Sequence, residues 1–354
     1  MKNWIFKTAL LISMTFSSSF ILAQSSPNPA ELAKPLSKAS AIQKAKSITN
    51  KKNPEVIKVG IYLNDVQSID MRANNYLLDF YIWFKWTNPD LDPSATFEFM
   101  NHSESWATIK TTPTEKPDKL ADDSFYQVIH VQGRMSEKMD LRAYPFDKQN
   151  LVILIEDAAK DAQGLVYEVE DVSINPALKI PGFEFKTPTL TVSNYTYPTN
   201  FGDPRMLENG VYSRLDFQLP IYRNVLTSFV KNILPIWLAI ICGVFALMLN
   251  PKLIDSRFQI AIFSILSLVA LQISNGNDLP ALQYMNLMDA LYVTGYVFLI
   301  CLMAELIIAT KWIEHPDPEM DIKARRLDSI YGVVACIIFF SINCWFIFVT
   351  YASH

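Results

Sequence analysis

The side chains that most often do chemistry are sparse in this sequence and stand in poor company for it. The four histidines, His102, His130, His315 and His354, have no spacing that suits a metal ion or the base of a nucleophile. The four cysteines, Cys242, Cys301, Cys336 and Cys344, all lie in long apolar runs, where no exported domain would place its disulfides. No G-x-S-x-G, Walker-type loop or H-E-x-x-H occurs, so an enzyme has little to build on and no cofactor or metal is implied. What does recur at a regular interval is a stripe: Asp255, Gln259, Phe263, Leu266, Ala270, Ile273 and Asn277. Helical spacing places these residues on one face, polar at both ends and apolar in the middle. A face turned to lipid does not end in Asp and Asn. A face turned to a water-filled axis can, with a hydrophobic constriction between the polar ends.

Such a stripe needs a membrane-embedded wall around it, and the composition supplies one. Half of the 354 residues are hydrophobic and only 19% are charged, which is high apolar content for a soluble chain. Four apolar segments at roughly 229–249, 258–274, 285–310 and 329–351 approach the ~20 residues a spanning helix needs. The second of them holds the stripe together with Gln272 and serines, which suits protein or water better than lipid. The net charge of −4 without any long basic block excludes nucleic acid as a partner.

The first residues, with Lys2 and Lys7 before an apolar core and Ala23 near its end, read as a signal peptide over 1–23. Residues 24–53, rich in Ser, Ala, Lys and Pro and without an aromatic, read as a flexible leader. Export of the N-terminal domain puts the loops bearing Lys252, Arg257, Lys311, Lys323, Arg325 and Arg326 in the cytoplasm, and the loop NGNDLPALQ, which has no Lys or Arg, outside. This is the positive-inside pattern. It gives a multi-pass membrane protein, expected with its N-terminal domain outside.

Residues 54–222 form that domain. Runs such as VGIYL, YLLDFYIWFKW, FYQVIHVQG, NLVILIE and VYSRLDFQL alternate with turn clusters such as TNPDLDP and NFGDP. Many short strands without a useful amphipathic helix predict an antiparallel, immunoglobulin-like β-sandwich. Residues 223–354 are then a transmembrane domain of four helices, so the expected fold is an all-β extracellular sandwich followed by a four-helix transmembrane bundle. One stretch fits neither half on its own: DLRAYPFDKQNLVILIE at 140–156 wedges a charged proline turn against a strand-type apolar run.

A β-sandwich, YPFD within it and four membrane helices after it together resemble the pentameric ligand-gated ion channels, the Cys-loop receptor superfamily, in its prokaryotic form. The motifs occur in order: GIYLNDVQSID, a strand ending Trp86-Thr87-Asn88-Pro89, YPFDKQ, IYRN with ILP at 233–235, and NDLP before the third helix. The chain has no cysteines around YPFD, and its 311–328 segment is short, as in the bacterial branch. Trp106 and Phe183 stand where relatives carry other aromatic signatures.

The resemblance implies a homopentamer in the lipid of a bacterial inner membrane, its N-terminal domain in the periplasm, gated by a small-molecule or proton agonist and passing monovalent cations. The stripe from Asp255 to Asn277 would line the pore, with a carboxylate ring at Asp255 and a closed gate among Phe263, Leu266 and Ile273. Asp255 also suits a helix N-cap, and the apolar members also suit ordinary helix packing. Arg257 lies about 200° around the helix from Asp255 and should point away from the axis. Agonist would bind between neighbouring sandwiches against Tyr81, Trp106, Phe183, Tyr195, Tyr197, Phe201 and Tyr212, a set whose rings suit ammonium groups. Each of these aromatics equally suits a core or a surface. Coupling would pass through Asp65, Asp70, Tyr144, Pro145, Phe146, Asp147, Arg223, Leu279 and Pro280. Within that set Tyr144-Pro145-Phe146 gives the charged turn a rigid apolar tip and Asp147 gives it a partner for Arg223. The alternative is a non-conducting membrane sensor that uses the same binding module.

Overall fold

The computed structural model describes residues 53–200, 202, 210–313 and 318–353. The signal peptide and all but the last residue of the leader lie outside the described residues, as does Phe201. The chain divides into two compact units. Of the described residues, one holds 53–139 and 148–222; the other holds the helices from Arg223 onward together with the loop Asp140–Asp147.

The first unit is a two-sheet β-sandwich. Among the described residues its strands are β1 (Glu55–Asp70), β2 (Asn75–Trp86), β3 (Phe97–Phe99), β4 (Ile109–Thr111), β5 (Asp118–Lys119), β6 (Phe125–Ser136), β7 (Lys148–Asp157), β8 (Leu165–Ile174), β9 (Phe183–Phe185), β10 (Thr189–Tyr197) and β11 (Gly210–Arg223). One sheet runs β4-β6-β2-β1-β8 with β5 on β6, and the other β10-β11-β7-β3 with β9 on β11. Alternation builds the core. Ile57, Val59, Ile61 and Leu63 of β1 and Leu78, Phe80, Ile82 and Phe84 of β2 are all buried, and they face the inward residues Leu151, Ile153 and Ile155 of β7 and Leu215, Phe217 and Leu219 of β11. Tyr76 ties the sheets: its hydroxyl donates to the Val152 carbonyl and accepts from the Val152 N–H, both at 2.7 Å. Burial pushes that hydroxyl well above the usual phenol range.

One pairing departs from the antiparallel expectation. β8 lies parallel to β1, from Glu55 opposite Leu165 to Leu63 opposite Ile174. After β7 the chain leaves one sheet through a turn in which Asp157 accepts the Ala159 and Lys160 N–H groups, and β8 then joins the edge of the other sheet. Strand-type residues alone carry no sign of which edge they will join.

Among the described residues, the second unit contains four helices long and apolar enough to cross a membrane: α1 (Val225–Met248), α2 (Ile254–Gly276), α3 (Leu287–Ile313) and α4 (Pro318–Ser353), whose spanning part is Ile322–Ala352. The local sequence explains their ends. Asn224 caps α1 by accepting the Thr227 N–H at 3.1 Å. A π-helical turn at Phe229–Ile233 precedes Pro235, which has no N–H for the ladder. α3 opens on a reciprocal box in which Asn286 accepts the Asp289 N–H at 2.8 Å and Asp289 accepts the Asn286 N–H at 3.1 Å. α2 is longer at both ends than the apolar run predicts, because its polar terminal turns are helical too.

Candidate functional site

α2 has two opposite faces. Asp255, Gln259, Phe263, Leu266, Ala270, Ile273 and Asn277 are all exposed in the single subunit, with Phe263 65%, Leu266 56% and Ile273 63% accessible. Arg257, Ala261, Ser264 and Leu268 are buried. At 100° per residue the exposed stripe spans about 80° and the buried set lies about 170° away from its centre. Asp255 sits in the first turn of α2 rather than at its cap, which is Leu253.

The buried side is held by close contact and by charge. A Cβ on Gly243 of α1 would meet Leu299 Cδ2 at 2.7 Å, and one on Gly295 of α3 would meet Leu268 Cδ2 at 2.9 Å, so these glycines are what lets the helices approach. The Arg257 guanidinium points into the protein, away from the stripe. Its Nη2 donates to Asp328 Oδ1 of α4 at 2.7 Å and its Nε to the Ala246 carbonyl of α1 at 2.9 Å. Glu305 of α3, only 4% exposed, brings its carboxyl beside Asp328. Toward the other end of α2, Asn275 donates to the Tyr292 hydroxyl at 2.5 Å and Tyr296 donates to Gln272 Oε1 at 2.6 Å, both on α3. Sequence reading missed the Arg257–Asp328–Glu305 group, since its members stand on three helices.

The YPFD loop is packed with helical-unit residues. Tyr144, Pro145, Phe146 and Asp147 are buried, and the Asp147 carboxylate accepts from Arg223 Nε at 3.2 Å. The Arg223 guanidinium also lies 5.2 Å from the Tyr144 ring centre. Burial raises the Tyr144 hydroxyl, with Arg223 opposing that shift. Tyr284, in the α2–α3 connection and not singled out from sequence, accepts the Leu141 N–H at 3.0 Å, and the Arg142 carbonyl accepts the Leu287 N–H at 3.0 Å. Leu279 and Pro280 are half-buried in the same connection. Asp65 and Asp70 belong to the sandwich and accept the N–H groups of Val66 and Ala73, each at 2.9 Å.

The expected ligand residues separate into groups. Tyr195, Tyr197 and Tyr212 come together on β10 and β11, with centroids 4.7 Å apart for the first pair and 5.7 Å for the second. Tyr81 of β2 stacks on His130 of β6 at 4.4 Å, and His130 Nε2 lies 2.7 Å from Asp79. Phe183 is half-buried on β9. Trp106 stands 86% exposed on a single 3-10 turn. Among the tyrosines lies a group that sequence reading did not find: Arg214, bonded to Glu156. Only strand register brings these two together, for Leu215 pairs with Ile155. Burial and the Glu156 carboxylate push the Tyr197 hydroxyl up to about 12. Among the described residues no group of three His, Cys, Asp or Glu side chains is placed to hold a metal ion.

No protein-family model matches the chain. Curated relatives do. A proton-gated ion channel of Gloeobacter violaceus is 22% identical over 275 residues, covering 72% of this chain and 73% of that protein. The serotonin-gated chloride channel mod-1 of Caenorhabditis elegans is 21% identical over 276 residues, 71% of this chain and 54% of that protein. The gamma-aminobutyric acid receptor subunit beta-4 of Gallus gallus is 19% identical over 275 residues, 72% of this chain and 54% of that protein. The chain therefore spans about half the length of these two animal relatives. An all-β sandwich followed by four membrane-length helices, with relatives of this kind, is the architecture of the Cys-loop family of ligand-gated channels, which are not enzymes. The chain resembles that family in both respects and is a multi-pass membrane protein.

Proposed function

We propose that this relative of the ligand-gated channels is one subunit of a homopentameric, cation-conducting channel, opened by a small molecule or proton acting on the sandwich domains. α2 is read as the pore wall. The observation that carries this reading is the division of α2. Its buried side is satisfied by α1, α3 and α4 within the subunit, while the stripe from Asp255 to Asn277 is left exposed. Phe263, Leu266 and Ile273 lie in the middle of that face, between its polar ends. Five copies facing one axis give them a narrow, dewettable throat, with Asp255 and Gln259 below it and Asn277 above it.

The sign of the permeant ion rests on Asp255, whose carboxylate repeated five times concentrates cations at one mouth. Arg257, two residues on, is tied to Asp328 and does not offset that ring in the pore. We place the stripe's acidic end in the cytoplasm and the sandwich in the periplasm of a bacterial inner membrane, on the positive-inside pattern. Domain boundaries near 23, 53 and 222 follow from the same reading. The loop Asp140–Asp147 continues directly into β7 of the sandwich yet groups with the helices, so it suits the coupling role expected of Tyr144, Pro145, Phe146, Asp147 and Arg223.

Current through proteoliposomes tests the reading. Asp255→Ala is expected to lower cation over anion permeability, and Asp255→Lys to lower it further. Reversal potentials in a salt gradient that stay put in both variants would remove the carboxylate ring.

A further inference from the structure

One face of the Tyr195 ring already carries a cation. The Arg214 guanidinium carbon lies 3.5 Å from the centre of the Tyr195 ring, closer than any other cation–ring approach found among the described residues. Its Nε donates to Glu156 Oε1 at 2.6 Å, its Nη2 donates to the Tyr197 hydroxyl at 3.0 Å, and that hydroxyl donates to Glu156 Oε2 at 3.0 Å. The three groups close a ring of hydrogen bonds. Glu156 is 2% exposed and both its oxygens are used. Arg214 keeps 13% of its side chain exposed. Its Nη1 has no partner among the described residues and is not sealed from water.

We propose that Arg214 is a specificity-determining residue of this aromatic cluster, excluding small ammonium ligands and favouring ligands that present a hydrogen-bond acceptor such as a carboxylate to Nη1. An ammonium ion could take the face inside the cluster only by moving the guanidinium aside. That would leave the sealed Glu156 carboxylate without its charge partner, and the attraction of the ring cannot offset such a loss. A carboxylate meets no such obstacle. One edge of the planar fork is closed by Glu156 and Tyr197, while the outward nitrogen still points its hydrogens to solvent. The tyrosine cluster expected from sequence to suit amines is thereby turned toward the opposite class.

This inference rests on the proposed reading of that face as the ligand site, but its test reads binding and not current, so a silent channel does not decide it. Full-length protein in detergent is titrated with tetramethylammonium and with acetate, followed by saturation-transfer NMR. The wild type is compared with the Arg214→Ala/Glu156→Gln double variant, in which no charge is stranded and the introduced amide still meets the Tyr197 hydroxyl. The double variant is expected to bind tetramethylammonium about tenfold more tightly than the wild type and to lose acetate. Glu156→Gln alone, which keeps the guanidinium, is expected to retain acetate. Tetramethylammonium affinities within about twofold of each other in wild type and double variant, at unchanged elution volume, would overturn the assignment, as would the absence of acetate binding to the wild type.

Discussion

Removing either member of the Asp147–Arg223 pair should be damaging, and by unequal amounts. The Asp147 side chain is 0% exposed and that of Arg223 is 20% exposed. Arg223→Ala takes the guanidinium from a carboxylate that has no access to water, which costs about 3–5 kcal/mol for a buried pair. Asp147→Ala leaves an arginine that reaches solvent and still lies over Tyr144. Its loss should be smaller, about 1–2 kcal/mol. The double variant strands no charge, so the two losses should fall short of adding by about 2 kcal/mol, roughly thirtyfold in a response midpoint. The assay is a four-corner cycle on the midpoint of the ligand or proton response, with assembled protein quantified by size-exclusion chromatography. Losses that add within about 0.5 kcal/mol in well-assembled protein would refute the pairing. A worse outcome for Asp147→Ala than for Arg223→Ala would refute the argument from exposure.

The other expectations are simpler. Leu266→Ser wets the middle of the exposed stripe and should raise resting current or ligand sensitivity; an unchanged closed state at normal expression would remove Leu266 from the gate. Gly243→Val places branched carbon where Leu299 Cδ2 already lies within 2.7 Å of a Cβ and should cost about 1–3 kcal/mol through overpacking, read as a lowered melting temperature in detergent. Trp106→Ala, at an 86% exposed position, should change the stability of the isolated subunit by less than about 0.5 kcal/mol; a larger drop in unfolding midpoint would mean that the ring packs somewhere after all.

What was legible in the sequence came from periodicity. The stripe on α2 needed only the 3.6-residue turn, and its exposed and buried faces fall where that turn puts them. The same spacing sent Arg257 away from the stripe, though its partner Asp328 stands 71 residues on and could not be read. The YPFD turn was visible because charge and apolar tip sit side by side in the chain, whereas Tyr284, which holds the backbone of that loop, lies 143 residues from its partner. The parallel placement of β8 and the Arg214–Glu156 pair were hidden for one reason: both depend on register between distant strands, which residue type hardly constrains. The amine-friendly aromatic cluster was therefore read without the cation that sits in it.

The charged group behind α2 also bears on how such a chain is made. Arg257, Glu305 and Asp328 leave the ribosome on three successive hydrophobic segments, with Arg257 near the start of the second and Asp328 near the start of the fourth. Arg257 enters before either acid has been synthesised, and its best acceptor arrives on the last helix. The buried side of the second helix therefore lacks its ion-pair partner until the fourth helix is in place.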